Sequence, residues 1–165
     1  MKQFFKLSII LLALLCSTAP LADAKVKKSK NKAKTTATKS KWIEIAQSNI
    51  EIYYVSPEYK LQIDDQGYPI VTVKCVPQKS YLEEARRNKI NISGNPNFKN
   101  YTHTIQQWKV DINLMRLMIY TSAFYANNNL ISIENYAANP EWTDYTYNSV
   151  GYKIAEVVRY AIKGY

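Results

Sequence analysis

The side chains best suited to nucleophilic or general-base chemistry near neutral pH are the single histidine, His103, and Cys75. Nucleophilic catalysis needs the two side by side, with a third group orienting the base. Nothing in the spacing supplies that set. His103 lies in Thr102-His103-Thr104 and reads as a structural residue. No G-x-S-x-G elbow, phosphate-cradling glycine loop or H-E-x-x-H pattern occurs. A tetrahedral zinc site needs clustered His, Cys or carboxylate ligands, and no such spacing appears. With four glycines, the chain has few tight loops. The adjacent carboxylates Asp64-Asp65 and Glu83-Glu84 fall in a turn cluster and on a helix surface, where solvation explains them. Asp111 differs, because it sits within an apolar strand. A buried carboxylate there needs a partner, Arg116 or Lys109. The expectation is a protein that is not an enzyme and uses no metal or cofactor.

Recognition chemistry is better represented. The chain holds 14 tyrosines. Tyrosine combines a large contact area with a polar tip and is enriched at recognition surfaces. Most fall in expected strands and are core candidates. Tyr136, Trp142, Tyr145 and Tyr147 instead cluster on an expected loop with Asn139-Pro140, a candidate binding patch. The alternative is that these rings fold back over a sheet edge.

The elements that must position these residues read as strands first and a helix last. Trp42 to Ala46 and Ile50 to Val55 have strand character, separated by a turn at Asn49. Asp64 to Gly67 is a turn cluster. Pro69 to Val76 is a third strand closed by Pro77, with Val71, Val73 and Cys75 alternating onto one face. Ser80-Tyr81-Leu82-Glu83 is a capping-box pattern that predicts a short helix to about Lys89. Ser93 to Asn97 is a loop. Tyr101 to Tyr125 reads as two strands joined near Asn113, with Trp108, Val110 and Ile112 sharing a face. The second, Met115 to Tyr125, is apolar nearly throughout, as a central strand is. Leu114, Leu117 and Met118 also have helical spacing. Ile119, Tyr120, Thr121, Phe124 and Tyr125 favour the strand. Asn127 to Asn129 is a turn and Leu130 to Tyr136 a last strand. Ser149 then caps a helix to about Lys163, with Gly164 at its end. Its apolar stripe is Ile154, Val157, Val158, Ala161 and Ile162. The fold class expected is α+β: an antiparallel sheet of about five to six strands, a C-terminal helix on one face and a short inserted helix.

The N-terminus reads as an export signal over residues 1–24. Lys2 and Lys6 supply the charged start, Leu7 to Leu15 the apolar middle, and Ala22-Asp23-Ala24 the small residues before a cut between Ala24 and Lys25. The apolar run is far short of the ~20 residues that span a bilayer. Cys16 raises the alternative of a lipid anchor, but Leu15 precedes it where a lipobox has a small residue. The periplasm is therefore the expected compartment, with the cell surface or the medium as alternatives. No later run is long enough to span a membrane. Cys75 is then alone in an oxidising compartment, either a buried core thiol or one that bridges to a partner.

The net charge of +9 belongs to the N-terminal region. Ten of the 22 Lys and Arg, and one of the 13 acids, precede Trp42, leaving twelve of each sign in residues 42–165. A neutral domain argues against a nucleic-acid-binding fold, which carries its basic patch on the domain. Residues 25–41 hold Lys25, Lys27, Lys28, Lys30, Lys32, Lys34, Lys39 and Lys41, with no acid. Val26 is the one large aliphatic there, so the segment is expected to be disordered. Seventeen residues of coil average roughly 25 Å end to end. One reading is a solubilising leader. The other is an electrostatic tether to an anionic envelope polymer, each lysine worth at most ~1 kcal/mol and weakened by salt.

Several stretches of residues 42–159 resemble the surface-adhesin protein E family of small exported bacterial proteins. Trp42-Ile43-Glu44-Ile45 and Ile52-Tyr53-Tyr54-Val55 resemble its tryptophan strand and the tyrosine-rich strand after it. Trp108 to Ile112 with Arg116, and Thr121 to Tyr125, are similar to its middle. Trp142, then Asn148-Ser149-Val150-Gly151 leading into Ile154 to Val158, resemble its final turn and helix. The resemblance implies an antiparallel sheet with a C-terminal helix and binding of host extracellular-matrix and serum proteins. Ile112 stands where the family pattern has a cysteine, and the cysteine near its last helix is also missing. The family's disulfide cannot form here, so helix and sheet must be held by packing. Ser80 to Asn100 looks like an insertion. The resulting expectation is an exported, adhesin-like binding module of the cell envelope. Its alternative is a periplasmic accessory protein whose lysine tail touches anionic polymers.

Overall fold

Period-two alternation of large apolar and polar residues dominates the chain, and it builds one antiparallel sheet. The computed structural model describes residues 42–56 and 60–163. The signal segment 1–24, its cleavage point at Ala24 and Lys25, the lysines of 25–41, and Gly164 lie outside the described residues. The elements are β1 (Ile43–Gln47), β2 (Glu51–Val55), β3 (Gln62–Ile63), β4 (Pro69–Pro77), α1 (Leu82–Ser93), β5 (His103–Asp111), β6 (Arg116–Ala126), β7 (Asn129–Asn135), β8 (Thr143–Asp144) and α2 (Val150–Lys163). A 3-10 turn, Pro96–Asn100, links α1 to β5. The main sheet order is β1-β2-β4-β5-β6-β7, with β3 on β4 and β8 on β6. The fold is α+β, as expected from the strand-then-helix order.

Both helices pack on the same face of this sheet. In β4, Val71, Val73 and Cys75 are buried and face the helices, as the alternation predicts. Their partners Trp108, Gln106 and Thr104 in β5 share that face. α2 lays Ile154, Ala155 and Val158 against Val55, Val71, Val73, Trp108, Val110 and Leu117. Ser149 caps this helix: its Oγ accepts from the Tyr152 amide at 3.2 Å. Ile162, placed on the buried stripe by spacing, is 53% exposed, because α2 runs past the edge of the core in its last turn. Gly151 sits where α2 meets the sheet. A Cβ there would lie 2.7 Å from Leu117 Cδ2 and 2.7 Å from Tyr145 Cβ.

The second core forms under α1. Ala85, Phe98, Tyr101 and Phe124 make it, with Leu82 and Ile90 against them. Phe98 and Phe124 meet edge to face at 5.5 Å. This helix differs from expectation at both ends. The capping box is not made: the N-cap is Tyr81, without a side-chain bond. The helix also continues past Lys89 to Ser93, because Gly94 at φ 67° supplies the left-handed terminus and returns its N–H to Ile90 O. β6 starts at Arg116, one residue later than expected, because Met115 holds a positive φ of 50° in the hairpin turn.

Candidate functional site

The four aromatics expected to form one loop patch are distributed over different surfaces. Tyr145 is a correction: it is 6% exposed and belongs to the α2 core, so its ring offers no contact surface. Its backbone N–H bonds Met115 O, which pins the chain against the β5–β6 turn. Trp142 is half-buried. Its ring lies 5.0 Å from Tyr68 and under the Arg116 guanidinium at 4.7 Å. Tyr147 is 72% exposed and meets Tyr152 of α2 at 5.2 Å. Tyr136 stands beside Glu134, whose carboxylate accepts its hydroxyl. The period-two geometry of β8 and its pairing to β6 send these neighbours to opposite sides.

The two residues with catalytic chemistry are also kept apart. Cys75 is buried on the helix face, where its thiol donates to Gln106 Oε1 at 3.2 Å. Burial pushes the thiol pKa up, so it stays protonated. His103 is on the other face, stacked on Tyr125 at 5.1 Å and 6°. Burial, assisted by Lys74, lowers its pKa to about 4. The sheet therefore separates thiol from imidazole. Asp111 has the partner its burial demanded: Oδ2 accepts from Arg116 Nε at 3.1 Å and Oδ1 from the Leu114 amide. Lys109 pairs instead with Asp64 at 2.6 Å. Glu83 bonds Arg86 on the surface of α1. Among the described residues no group of His, Cys, Asp and Glu is placed to hold a metal ion, and no helix is long and apolar enough to cross a membrane.

Two surfaces remain as recognition candidates. The first is the face opposite the helices, which no helix among the described residues covers. Strand register places Glu44, Tyr54, Lys74, Ile105, Ala123 and Ile133 in one row across it. The His103–Tyr125 stack lies beside this row, and Trp42 packs over Lys74 at 5.7 Å. Ile133 is 63% exposed.

The second is a trough on the helix face, between α1 and the segment after β7. Two adjoining cavities of about 550 and about 230 Å3 share Gln106, Ser122 and Tyr136. The larger one holds Leu117 and Ile119, with Asn139 and Glu141 at its rim. The smaller holds Lys89, Glu51 and Glu134. Gln106 is locked at the floor. Its Oε1 accepts from Trp108 Nε1 at 2.9 Å and from the Cys75 thiol, and its Nε2 donates to Ser122 Oγ at 3.2 Å. Neither Gln106 nor Lys89 stands out as a site residue in the sequence. The signal was present: Gln106 alternates with Thr104 and Trp108, and Lys89 follows Leu82 and Ala85 at helical spacing. A polar residue on an apolar face needs hydrogen-bond partners, and Gln106 finds them in Trp108, Cys75 and Ser122.

Comparison with protein-family models, curated proteins and solved structures returns no match to this chain.

Proposed function

We propose that this protein is a non-enzymatic, exported, adhesin-like binding module that engages a macromolecule through the open face of its sheet. One observation carries the reading: both helices lie on one side, leaving an aromatic and aliphatic face of a six-stranded sheet uncovered by any described helix. Sheet faces of soluble domains usually pack against another layer. Here the open face carries the stacked His103–Tyr125 pair, the half-buried Tyr54 and the exposed Ile133, and aromatic rings are enriched at recognition surfaces. The separation of Cys75 from His103 by the sheet supports a binding role over nucleophilic chemistry. The sequence-level resemblance names host extracellular-matrix and serum proteins as partners to test. The lysines of 25–41 add a salt-sensitive attachment to anionic envelope polymers.

Pull-down with residues 25–165, with residues 42–165, and with an Ile133→Lys/Tyr125→Ser variant tests this. Loss of partners in the face variant, with tail deletion having little effect, is the expected result. Partners lost on tail deletion alone, with the face variant unaffected, would refute it and favour the periplasmic accessory role. Protection of the protein from added protease on intact cells would remove the adhesin role.

A further inference from the structure

Lys89 presents to a cavity an ammonium held over aromatic rings. Its ammonium lies 4.2 Å from the centre of the Phe124 ring, 4.8 Å from Tyr101 and 6.0 Å from Phe98. These rings stabilise the charge from below but accept no conventional hydrogen bond. An ammonium has three donors. Among the described residues, none of the three has an oxygen partner. Burial pushes the Lys89 pKa down, against the opposing pull of Glu51 and Glu134. Lys89 is half-buried and opens onto the cavity, so an acceptor that enters the cavity can reach its ammonium.

The lining fixes what kind of acceptor. Glu51 and Glu134 share the cavity with Lys89, so its formal charge is negative. That field disfavours a dianion such as phosphate and favours a single carboxylate on a ligand that also carries a positive group. The carboxylates have capacity left, since Glu51 accepts one bond from Tyr53 and Glu134 one from Tyr136. Gln106 Nε2 has a second N–H, aimed by the fixed amide. Past Tyr136, the larger cavity offers Leu117 and Ile119. Its size lies within the ~300–1,000 Å3 range of small-molecule sites.

We infer that the trough is a binding site for a small zwitterion of the amino-acid or dipeptide kind, with an apolar side chain. Lys89 receives its carboxylate, a trough carboxylate its ammonium, and Leu117 and Ile119 its side chain. This site is on the opposite face from the proposed macromolecular surface and stands or falls independently of it.

The test is calorimetric titration of the full chain with leucyl-leucine, its C-terminal amide and its N-acetyl derivative. Trp108 fluorescence follows the same titrations, because its indole bonds the trough floor. The free dipeptide should bind saturably, and either cap should weaken binding at least about tenfold, the worth of one charge-assisted bond. In Lys89→Met the C-terminal amide and the free acid should bind alike, while the N-acetyl penalty persists. Equal affinity of acid and amide for the unaltered chain would overturn the inference. So would no saturable binding of the free dipeptide at millimolar concentration. Both decisive results need only the unaltered chain.

Discussion

Replacing Gly151 by alanine sets two physical effects against each other. Alanine is the better helix former, by up to ~1 kcal/mol in a helix interior and less in the first turn. Gly151 is buried where α2 touches the sheet, and an added Cβ meets Leu117 Cδ2 and Tyr145 Cβ at 2.7 Å each. Contacts between carbons are comfortable near ~3.5–4.0 Å, so something must move by most of an ångström. Leu117 is able to rotate. Tyr145 Cβ is tied to a backbone whose N–H is bonded to Met115 O, so that contact yields only by shifting the helix. Overpacking of this kind costs ~1–3 kcal/mol. Net of the propensity gain, Gly151→Ala should destabilise by about 1–2 kcal/mol. For a domain of this size that lowers Tm by roughly 3–10 °C. Urea and thermal unfolding followed by circular dichroism read it directly. In a Leu117→Ala background the cost should fall but not vanish, because the Tyr145 contact remains. A Tm that rises on Gly151→Ala would refute the reasoning, since propensity would then outweigh packing at the helix–sheet contact.

Three further predictions concern charge. His103 is neutral in the fold, with its pKa depressed to about 4 from an ordinary 6.5. Below 6.5 the unfolded chain binds a proton that the folded chain refuses, so this residue removes stability as pH falls from 6.5 towards 4. His103→Gln should flatten that part of the stability–pH curve relative to the unaltered protein, and parallel curves would count against the assignment. Asp111→Ala, which strips a buried carboxylate from Arg116 and from the Leu114 amide, should cost ~2–4 kcal/mol in urea unfolding. Glu83→Ala removes a surface partner whose side chain is 72% exposed and should cost under ~0.5 kcal/mol.

Much of the fold was legible because one period carried it. Val71, Val73 and Cys75 face the helices, Trp108 and Val110 share their side, and Ser149 caps α2, all from local pattern. The misplaced ends have local causes too. Gly94 stops α1 four residues beyond the end expected for it, and Met115 delays β6 by one residue through a positive φ. Capping by Ser80 failed because the chain enters the helix at Tyr81, so the side chain that fitted the pattern is out of position. The candidate sites were less legible. Loop aromatics adjacent in sequence looked like one patch, yet strand pleating and the pairing of β8 to β6 sent Tyr145 inward and Trp142 to Tyr68. No local rule says which side of a sheet a distant helix will choose.

The sequence alone determined the α+β class, the capped C-terminal helix, the neutral charge of residues 42–165 and the need of Asp111 for a cationic partner. These depend on neighbours within a few residues or on counting. Tertiary structure decided the rest. It placed both helices on one face, opened the other, and put Cys75 and His103 on opposite sides. It also chose Arg116 over Lys109 for Asp111, and set Lys89 above three rings at the mouth of a cavity. Each of those outcomes turns on which residues far apart in the chain share a face, and that is settled only when the strands take their register.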